Sequence, residues 1–146
     1  MKTVSQILHA KGGTEVHNIS PGETVLEAIR RMAEHGIGAL VVMEGGSIVG
    51  MVSERDYARK VILMGRNSDQ TAVREIMSPG ALYVRPQQSN EDCMALMANS
   101  RVRHLPVLEE GRLVGLISMG DLVKDIISDQ QFTIEQLEHY ISGQHA

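Results

Sequence analysis

The sequence predicts an α/β fold of two β-α-β-β-α repeats whose sheets pack together, and three observations carry that prediction. The first is internal repetition, which decides an architecture before any single element does. The segment "PGETVLEAIRRMAEHGIGALVVMEGGSIVGMVSERDYARKVI" from Pro21 lies without a gap over "PQQSNEDCMALMANSRVRHLPVLEEGRLVGLISMGDLVKDII" from Pro86, an offset of 65. Met32 and Met97, Ala33 and Ala98, Leu40 and Leu105, Val42 and Val107, Gly46 and Gly111, Val49 and Val114, Gly50 and Gly115, Ser53 and Ser118, and Asp56 and Asp121 all coincide. Shared amphipathicity explains matching apolar positions. It does not explain glycines, a serine and an aspartate held in one register. The second observation is that each copy passes from helical to strand periodicity and back in the same order. The third is size: one copy has too little interior to stand alone, so two copies are expected to share apolar faces.

Within copy one, Val25, Ile29, Met32 and Ala33 recur at helical spacing after Thr24, an N-cap with Glu27 as its capping-box partner. "ALVVM" reads as a buried strand, "EGGS" as a tight hairpin turn and "IVGMVS" as the returning strand. A second helix, "ERDYARKVILM", follows. Copy two gives a helix from about Asn90, strand "HLPVL", turn "EEGR", strand "LVGLIS" and helix "GDLVKDII". The extended pieces "TEVHNIS" and "ALYVRP" precede the copies and are each expected to add an edge strand. Between the copies "GRNSDQTAVREIMSPG" starts polar and ends in a helical turn stopped by Ser78, Pro79 and Gly80. In the tail, Phe132, Leu137, Tyr140 and Ile141 lie near one another on a helix face, too short to be stable alone and expected to pack on the body or on a second subunit. The chain thus divides into an N-terminal segment (1–15), a first repeat (16–64), a linker (65–80), a second repeat (81–128) and a tail (129–146).

Composition narrows the function. A net charge of −4 gives no basic field for nucleic acid or anionic lipid, and 3% aromatics leave few stacking platforms for bases. No apolar run approaches the roughly 20 residues that span a bilayer, and the N-terminus lacks the core of a signal peptide, so a cytoplasmic protein is expected. Cys93 is the only cysteine and the six histidines lack ligand spacing, so no metal site is expected. Cys93 matches Ala28 on the first helix of its repeat and reads as a small core residue, and no nucleophile, base and orienting group converge. An enzyme is not expected.

The ordered set "NIS" with "PGETVLEAIRRMAEHGIGALVVM", "GGSIVGMVSERD", "VREIMS", "MANSRVRHLPVLEEGRLVGLIS" and "MGDLVKDII" resembles the CBS-domain pair, or Bateman module, from about Val16 to Ser128. The resemblance implies two pseudo-twofold-related repeats and a regulatory role without catalysis. It implies binding of adenosine-containing ligands (AMP, ADP, ATP, NAD or S-adenosylmethionine) in clefts between the repeats. It also implies a homodimer, with a separate protein as effector because no catalytic or transport domain is attached.

The residues that would hold such a ligand can be read two ways. "SERD" and "SMGD" place Ser53 and Asp56, and Ser118 and Asp121, at strand-to-helix junctions. A serine N-cap with an acidic residue three positions on is a helix start in its own right. An ionised carboxylate can equally accept from both hydroxyls of a ribose, and the resemblance carries ribose and phosphate binding onto these four residues. In "RVRHLPV" an extended run would put Arg101 and Arg103 on one side and His104 on the other. Arg101 reads as solvated; Arg103 and His104 occupy positions where the family often places phosphate contacts. Their counterparts Gly38 and Ala39 carry no charge, so the two sites cannot be equivalent, and the small pair leaves room for a longer ligand such as a dinucleotide. Arg55 either reaches a phosphate or pairs with a surface carboxylate. The adenine would meet backbone groups near Val16 and Tyr83, which leave no sequence signature. A purely structural adaptor that dimerises, with both Ser-x-x-Asp segments acting only as caps, is the competing reading.

Overall fold

The computed structural model describes residues 2–12, 16–80 and 82–143. The chain forms two compact units, Glu15–Leu82 and a second that joins Met1–Thr14 to Tyr83–Ala146. The N-terminal helix α1 (Val4–Lys11) therefore belongs with the second repeat. Thr3 starts it through a reciprocal capping box with Gln6, and Gly12 ends it.

The first unit runs β1 (Asn18–Ile19), α2 (Val25–His35), β2 (Ala39–Glu44), β3 (Ser47–Ser53), α3 (Glu54–Tyr57) and β4 (Ser78–Pro79). Its sheet has the order β1-β2-β3-β4, with β1 parallel to β2 and the other pairs antiparallel. Ile19, Val25, Ala28, Met32, Leu40, Val42, Val52, Val61, Val73 and Ile76 fill its core. The second unit adds α4 (Asn90–Ser100), β5 (His104–Glu109), β6 (Arg112–Ser118) and α5 (Met119–Gly143) to α1. Its core is Val4, Ile7, Val84, Cys93, Met97, Leu105, Val107, Ile117 and Leu122, so α1 supplies two of the buried side chains. Burial raises the Cys93 thiol to about 11, with the neighbouring Asp92 charge acting the same way, which keeps it an inert core group.

The repeat is visible in fine detail. Both hairpins carry a register shift at the same place, Val42/Met43 and Val107/Leu108. Both turn through two residues of positive φ, Gly45 and Gly46 in one and Glu110 and Gly111 in the other, as a two-residue hairpin with the twist of its strands requires. Both first helices end in the left-handed region, with the N–H of Ile37 reaching Met32 O and that of Val102 reaching Met97 O.

Several elements differ from the sequence expectation. Thr24 caps α2, but the Glu27 carboxylate turns to Arg31 instead of closing a capping box. The helix expected over "ERDYARKVILM" is α-helical only through Tyr57, then widens into a π-turn over Ala58–Ile62. Ser78 and Pro79 do not simply stop a turn but form β4, seated against Gly50 and Met51. "ALYVRP" yields no strand among its described residues, only one parallel bridge from Val84 to Val107. Arg101 is not in an extended run: it caps α4 at φ 55°. Lastly, the tail is not a separate helix. No proline interrupts "SDQQFTIEQL", and α5 continues through it for 25 residues.

Candidate functional site

Each Ser-x-x-Asp segment sits where a β-strand hands over to a helix. In the first unit Ser53 pairs with Ala39 across the hairpin, and the N–H of Glu54 donates to Gly38 O at 3.0 Å. Asp56 N–H donates to Ser53 Oγ (3.2 Å), while Asp56 Oδ2 accepts from Ser53 N–H (2.9 Å) and from the Ser53 hydroxyl (3.1 Å). Lys60 Nζ stands 3.3 Å from Asp56 Oδ1 and donates to Ile76 O. Val16 lies two residues before Asn18, the first residue of β1, which pairs with Val41. Gly38 also lines a cleft of about 270 Å³ with Ile29, Met32, Ala33, Ile37 and Glu54. Its lack of a side chain matters there, since an added Cβ would meet Glu54 Oε1 at 3.1 Å. Gly38, Ala39, Ser53 and Asp56 are thus neighbours. Arg55 is exposed, and among the described residues no carboxylate pairs with it.

The second unit repeats this frame with different chemistry. Ser118 pairs with His104, and Met119 N–H donates to Arg103 O at 2.9 Å. Ser118 N–H donates to Asp121 Oδ2 (2.8 Å), and Asp121 N–H donates to Ser118 Oγ (3.2 Å). Lys11 arrives from the end of α1 and donates to the same Asp121 Oδ2 and to Leu116 O, both at 2.9 Å. Burial opposes charge on Asp121, but the Ser118 N–H and the Lys11 ammonium outweigh it, so its carboxyl sits below the ordinary range. His104 is pushed down, first by burial and then by Lys11 and Arg103, against the pull of Asp121. It is therefore a neutral imidazole at physiological pH. Arg103, half-buried His104, Ser118 and Asp121 come together, and Lys11 joins them.

Tyr83 does not take the place expected of it. The offset of 65 makes Tyr83 the counterpart of Asn18, not of Val16, whose counterpart Ala81 lies outside the described residues. Tyr83 lines a separate cleft with Arg85, Pro86, Gln87 and the β5–β6 turn, which shares no residue with the cleft beside Asp121.

That cleft, about 190 Å³, is lined by Lys2, Lys11, Lys124, Asp121, Asp125 and Ser128, with Ile7 and Ala10. Asp125 is buried against it, accepting from Asn90 Nδ2 at 2.7 Å, with Lys2 Nζ 3.8 Å from its other oxygen. Sequence reasoning missed Lys2 and Lys11 because no helix was assigned before residue 16. It missed Lys60 because a lysine four residues after an aspartate is an ordinary helix pair. Among the described residues no group of three or more His, Cys, Asp or Glu side chains is placed to hold a metal ion, and no helix is long and apolar enough to cross a membrane.

Two units built on the same helix-hairpin-helix frame, each ending its hairpin in a Ser-x-x-Asp helix start, define a tandem-repeat α/β module. The chain belongs to the CBS-domain family: that family's pattern matches residues 12–63 and again 73–128. It is 33% identical over 97% of its length to the mitochondrial CBS domain-containing protein CBSX3 of Arabidopsis thaliana, covering 72% of that protein. It is 38% identical over 80% of its length to the CBS domain-containing protein YhcV of Bacillus subtilis, covering 83% of it. Among solved structures, a CBS-domain protein of Burkholderia ambifaria MC40-6 superposes with a TM-score of 0.85 at 55% identity, over 91% of this chain and 99% of that one. CBSX2, solved in complex with AMP, shares the fold at a TM-score of 0.69 and 22% identity, over 88% and 98% of the two chains. The protein is thus a CBS-domain pair, a regulatory module.

Proposed function

We propose that this module binds adenosine-containing nucleotides at its two Ser-x-x-Asp segments and passes their occupancy to a separate effector protein. The observation that carries the reading is the state of Asp121. Its carboxylate is held ionised and oriented, both bonds from Ser118 N–H and Lys11 fall on Oδ2, and among the described residues nothing bonds Oδ1. A half-buried oxygen of that kind accepts well from a ribose hydroxyl. Lys11, bonded to Asp121, supplies positive charge for phosphate, Arg103 adds an exposed guanidinium next to His104 in the chain, and neutral His104 can donate one hydrogen bond.

Asp56 has the same oxygen covered by Ser53, with Lys60 near the other, and its neighbours Gly38 and Ala39 are uncharged. The second site therefore suits the more highly charged ligand, ATP over AMP, whereas the first suits a ligand whose contacts are to ribose and base, with NAD as the long candidate. A protein of this fold, CBSX2, is known with AMP bound. The module is read as regulatory, without catalysis, and as acting away from membrane and nucleic acid.

Calorimetric titration of the full chain with AMP, ADP, ATP and NAD tests this. Binding is expected for at least one nucleotide. Asp121→Asn should weaken ATP by roughly tenfold or more, the loss of a charge-assisted bond, and leave the other site intact. No heat with any nucleotide, or affinities unchanged in the Asp56→Asn/Asp121→Asn double variant, would show that the two segments are helix caps alone.

A further inference from the structure

The groove between α1 and α5 of the second unit holds charge that the repeat frame does not require. Asp121, Lys124, Asp125 and Ser128 follow one another at spacings of three and four on α5 and so share one side of that helix. α1 packs against it, and Lys2 and Lys11 complete the walls of the cleft of about 190 Å³. Each aspartate has one lysine from this N-terminal stretch: Lys11 Nζ is 2.9 Å from Asp121 Oδ2, and Lys2 Nζ is 3.8 Å from Asp125 Oδ1. Lys124 has no ion-pair partner among the described residues, so the cleft keeps one ammonium beyond its carboxylates.

A buried acceptor without a donor borders the same cleft. Asp125 is 5% exposed and its Oδ2 accepts from Asn90 Nδ2 at 2.7 Å, whereas among the described residues no hydrogen bond reaches its Oδ1 or the Oδ1 of Asn90. Lys2, at 3.8 Å, offsets the charge from beyond bonding distance. The first repeat shows that the frame folds without this arrangement. The offset of 65 puts Val25 in place of Asn90 and Lys60 in place of Asp125, and Val25 is buried in an apolar core. A buried carboxylate with an unbonded oxygen lowers stability relative to such a core, so packing alone gives no reason for it.

We propose that this cleft binds a small phosphate monoester carrying a free hydroxyl, the chemistry of a phosphorylated polyol. The hydroxyl donates to Asp125 Oδ1, and the phosphate is met by the ammonium groups of Lys2, Lys11 and Lys124. Charge selects the class: three lysines against two aspartates favour an anion over a zwitterion such as an amino acid. Volume selects the size: sites for drug-sized ligands enclose roughly 300–1,000 Å³, so about 190 Å³ admits an ester of a few carbons and not a whole nucleotide. Of the residues assigned to nucleotide only Asp121 and Lys11 line this cleft, and the proposal stands whether or not that reading does.

The test is calorimetric titration of the full chain with glycerol phosphate, with propyl phosphate as the same chain without hydroxyls. Glycerol phosphate is expected to bind roughly tenfold more tightly, the gain from one hydrogen bond to a carboxylate. Lys124→Met, at an exposed position, should weaken it by roughly tenfold through the lost charge and leave any binding of AMP unchanged. Asp125→Asn turns the unbonded acceptor into a donor and should bring glycerol phosphate down to the affinity of propyl phosphate, with circular dichroism verifying the fold. No heat with glycerol phosphate, or binding that Lys124→Met leaves unchanged, would overturn the site. Equal affinities of the native chain for the two esters would overturn the Asp125 contact. AMP, whether or not it binds elsewhere, should not displace glycerol phosphate; displacement would make the cleft part of the nucleotide site and overturn its independence.

Discussion

In the first repeat the lysine on the Ser-x-x-Asp carboxylate comes from the same segment, Lys60 lying 3.3 Å from Asp56. In the second repeat the position matching Lys60 is Asp125, buried and bonded to Asn90, and the lysine on Asp121 is Lys11, 110 residues away in sequence. The frames are alike to the register of a β-bulge, and both put an ammonium beside the aspartate, but from opposite directions along the chain. The glycine in each returning strand shows the same divergence. Gly50 is covered by β4 and Gly115 by Leu8 of α1. Each repeat leaves one side of its hairpin open, and a segment outside the repeat closes it: the linker that follows the first copy for one, and the N-terminal helix, distant in sequence, for the other. The closing elements thus add to the difference that the repeat itself carries at Gly38 and Ala39 against Arg103 and His104.

The largest break in this comparison is expected at the two glycines. A Cβ at Gly50 would lie 2.5 Å from Ser78 O, a backbone atom held by the ladder, so Gly50→Ala must push β4 off its edge. A loss of about 3 kcal/mol is expected, by overpacking with lost ladder bonds. At Gly115 the nearest atoms, at 2.6 and 2.7 Å, are the methyl ends of Leu8, which can rotate away. Gly115→Ala should cost about 1–2 kcal/mol, within the same range, and Leu8→Ala should recover part of it. Urea denaturation of Gly50→Ala, Gly115→Ala and the Leu8→Ala/Gly115→Ala double variant decides; equal losses at the two glycines would mean that the covers are equally rigid.

Next in size is the buried pair that only the second repeat has. Asn90 matches Val25 and Asp125 matches Lys60. Importing the first repeat's residue alone, as Asn90→Val, removes the 2.7 Å bond and leaves the Asp125 carboxylate buried with Lys2 at 3.8 Å. A loss of about 2 kcal/mol is expected from the unsatisfied acceptor, measured by the same denaturation. No loss would mean that water or Lys2 replaces the amide.

Much of this was legible beforehand. The repeat, the order of elements, the two-residue turns and the placement of Ser53, Asp56, Ser118 and Asp121 follow from register and local chemistry, which a sequence displays directly. The closing elements follow from long-range contacts, which it does not. Nothing near Gly50 announces that Ser78 and Pro79 will pair with it, and nothing near Asp121 announces Lys11. The helix that brings Lys11 did leave a signal: Thr3 with Gln6 three residues on and Gly12 after Lys11 is a helix start and stop. Arg101 was misread for the opposite reason, since its counterpart Gly36 already marks a helix end and the repeat should have carried that conformation over.

The lysines themselves give a smaller effect with a pH signature. Lys11→Met should cost about 0.5–1 kcal/mol at neutral pH, as for a half-buried ion pair, and Lys60→Met about 0.3–0.5, as for an i,i+4 pair. Asp121 has a lowered folded pKa, so its contribution is present above the ordinary carboxylate range and is lost as pH falls through it. His104 also has a lowered folded pKa: the unfolded chain binds its proton first, so stability falls as pH drops below about 6.5. Removing the Lys11 charge should raise both values toward their ordinary ones, which flattens the His104 loss. Carboxyl and imidazole NMR titrations of the variant check the shifts; a His104 titration unmoved by Lys11→Met would mean that burial, with Asp121 and Arg103, sets it without Lys11.

The smallest effect concerns the helix ends, where the two repeats use different residues for one conformation. Gly36 closes α2 at φ 63° and Arg101 closes α4 at φ 55°. The left-handed region crowds a Cβ against the following carbonyl, a strain glycine escapes, while glycine gives back part of the gain through the entropy of the unfolded chain. Arg101→Gly should therefore stabilise by about 0.5 kcal/mol, the strain relieved outweighing the entropy. Gly36→Arg should destabilise by more than that, because it adds the strain where Ile37 and the 270 Å³ cleft pack against the same turn. Arg101 is exposed, so losing its charge takes little from the fold. If Arg101→Gly instead destabilised the protein, the arginine would be earning its place through a contact of its charge, and the second repeat would hold one more functional cation than its counterpart.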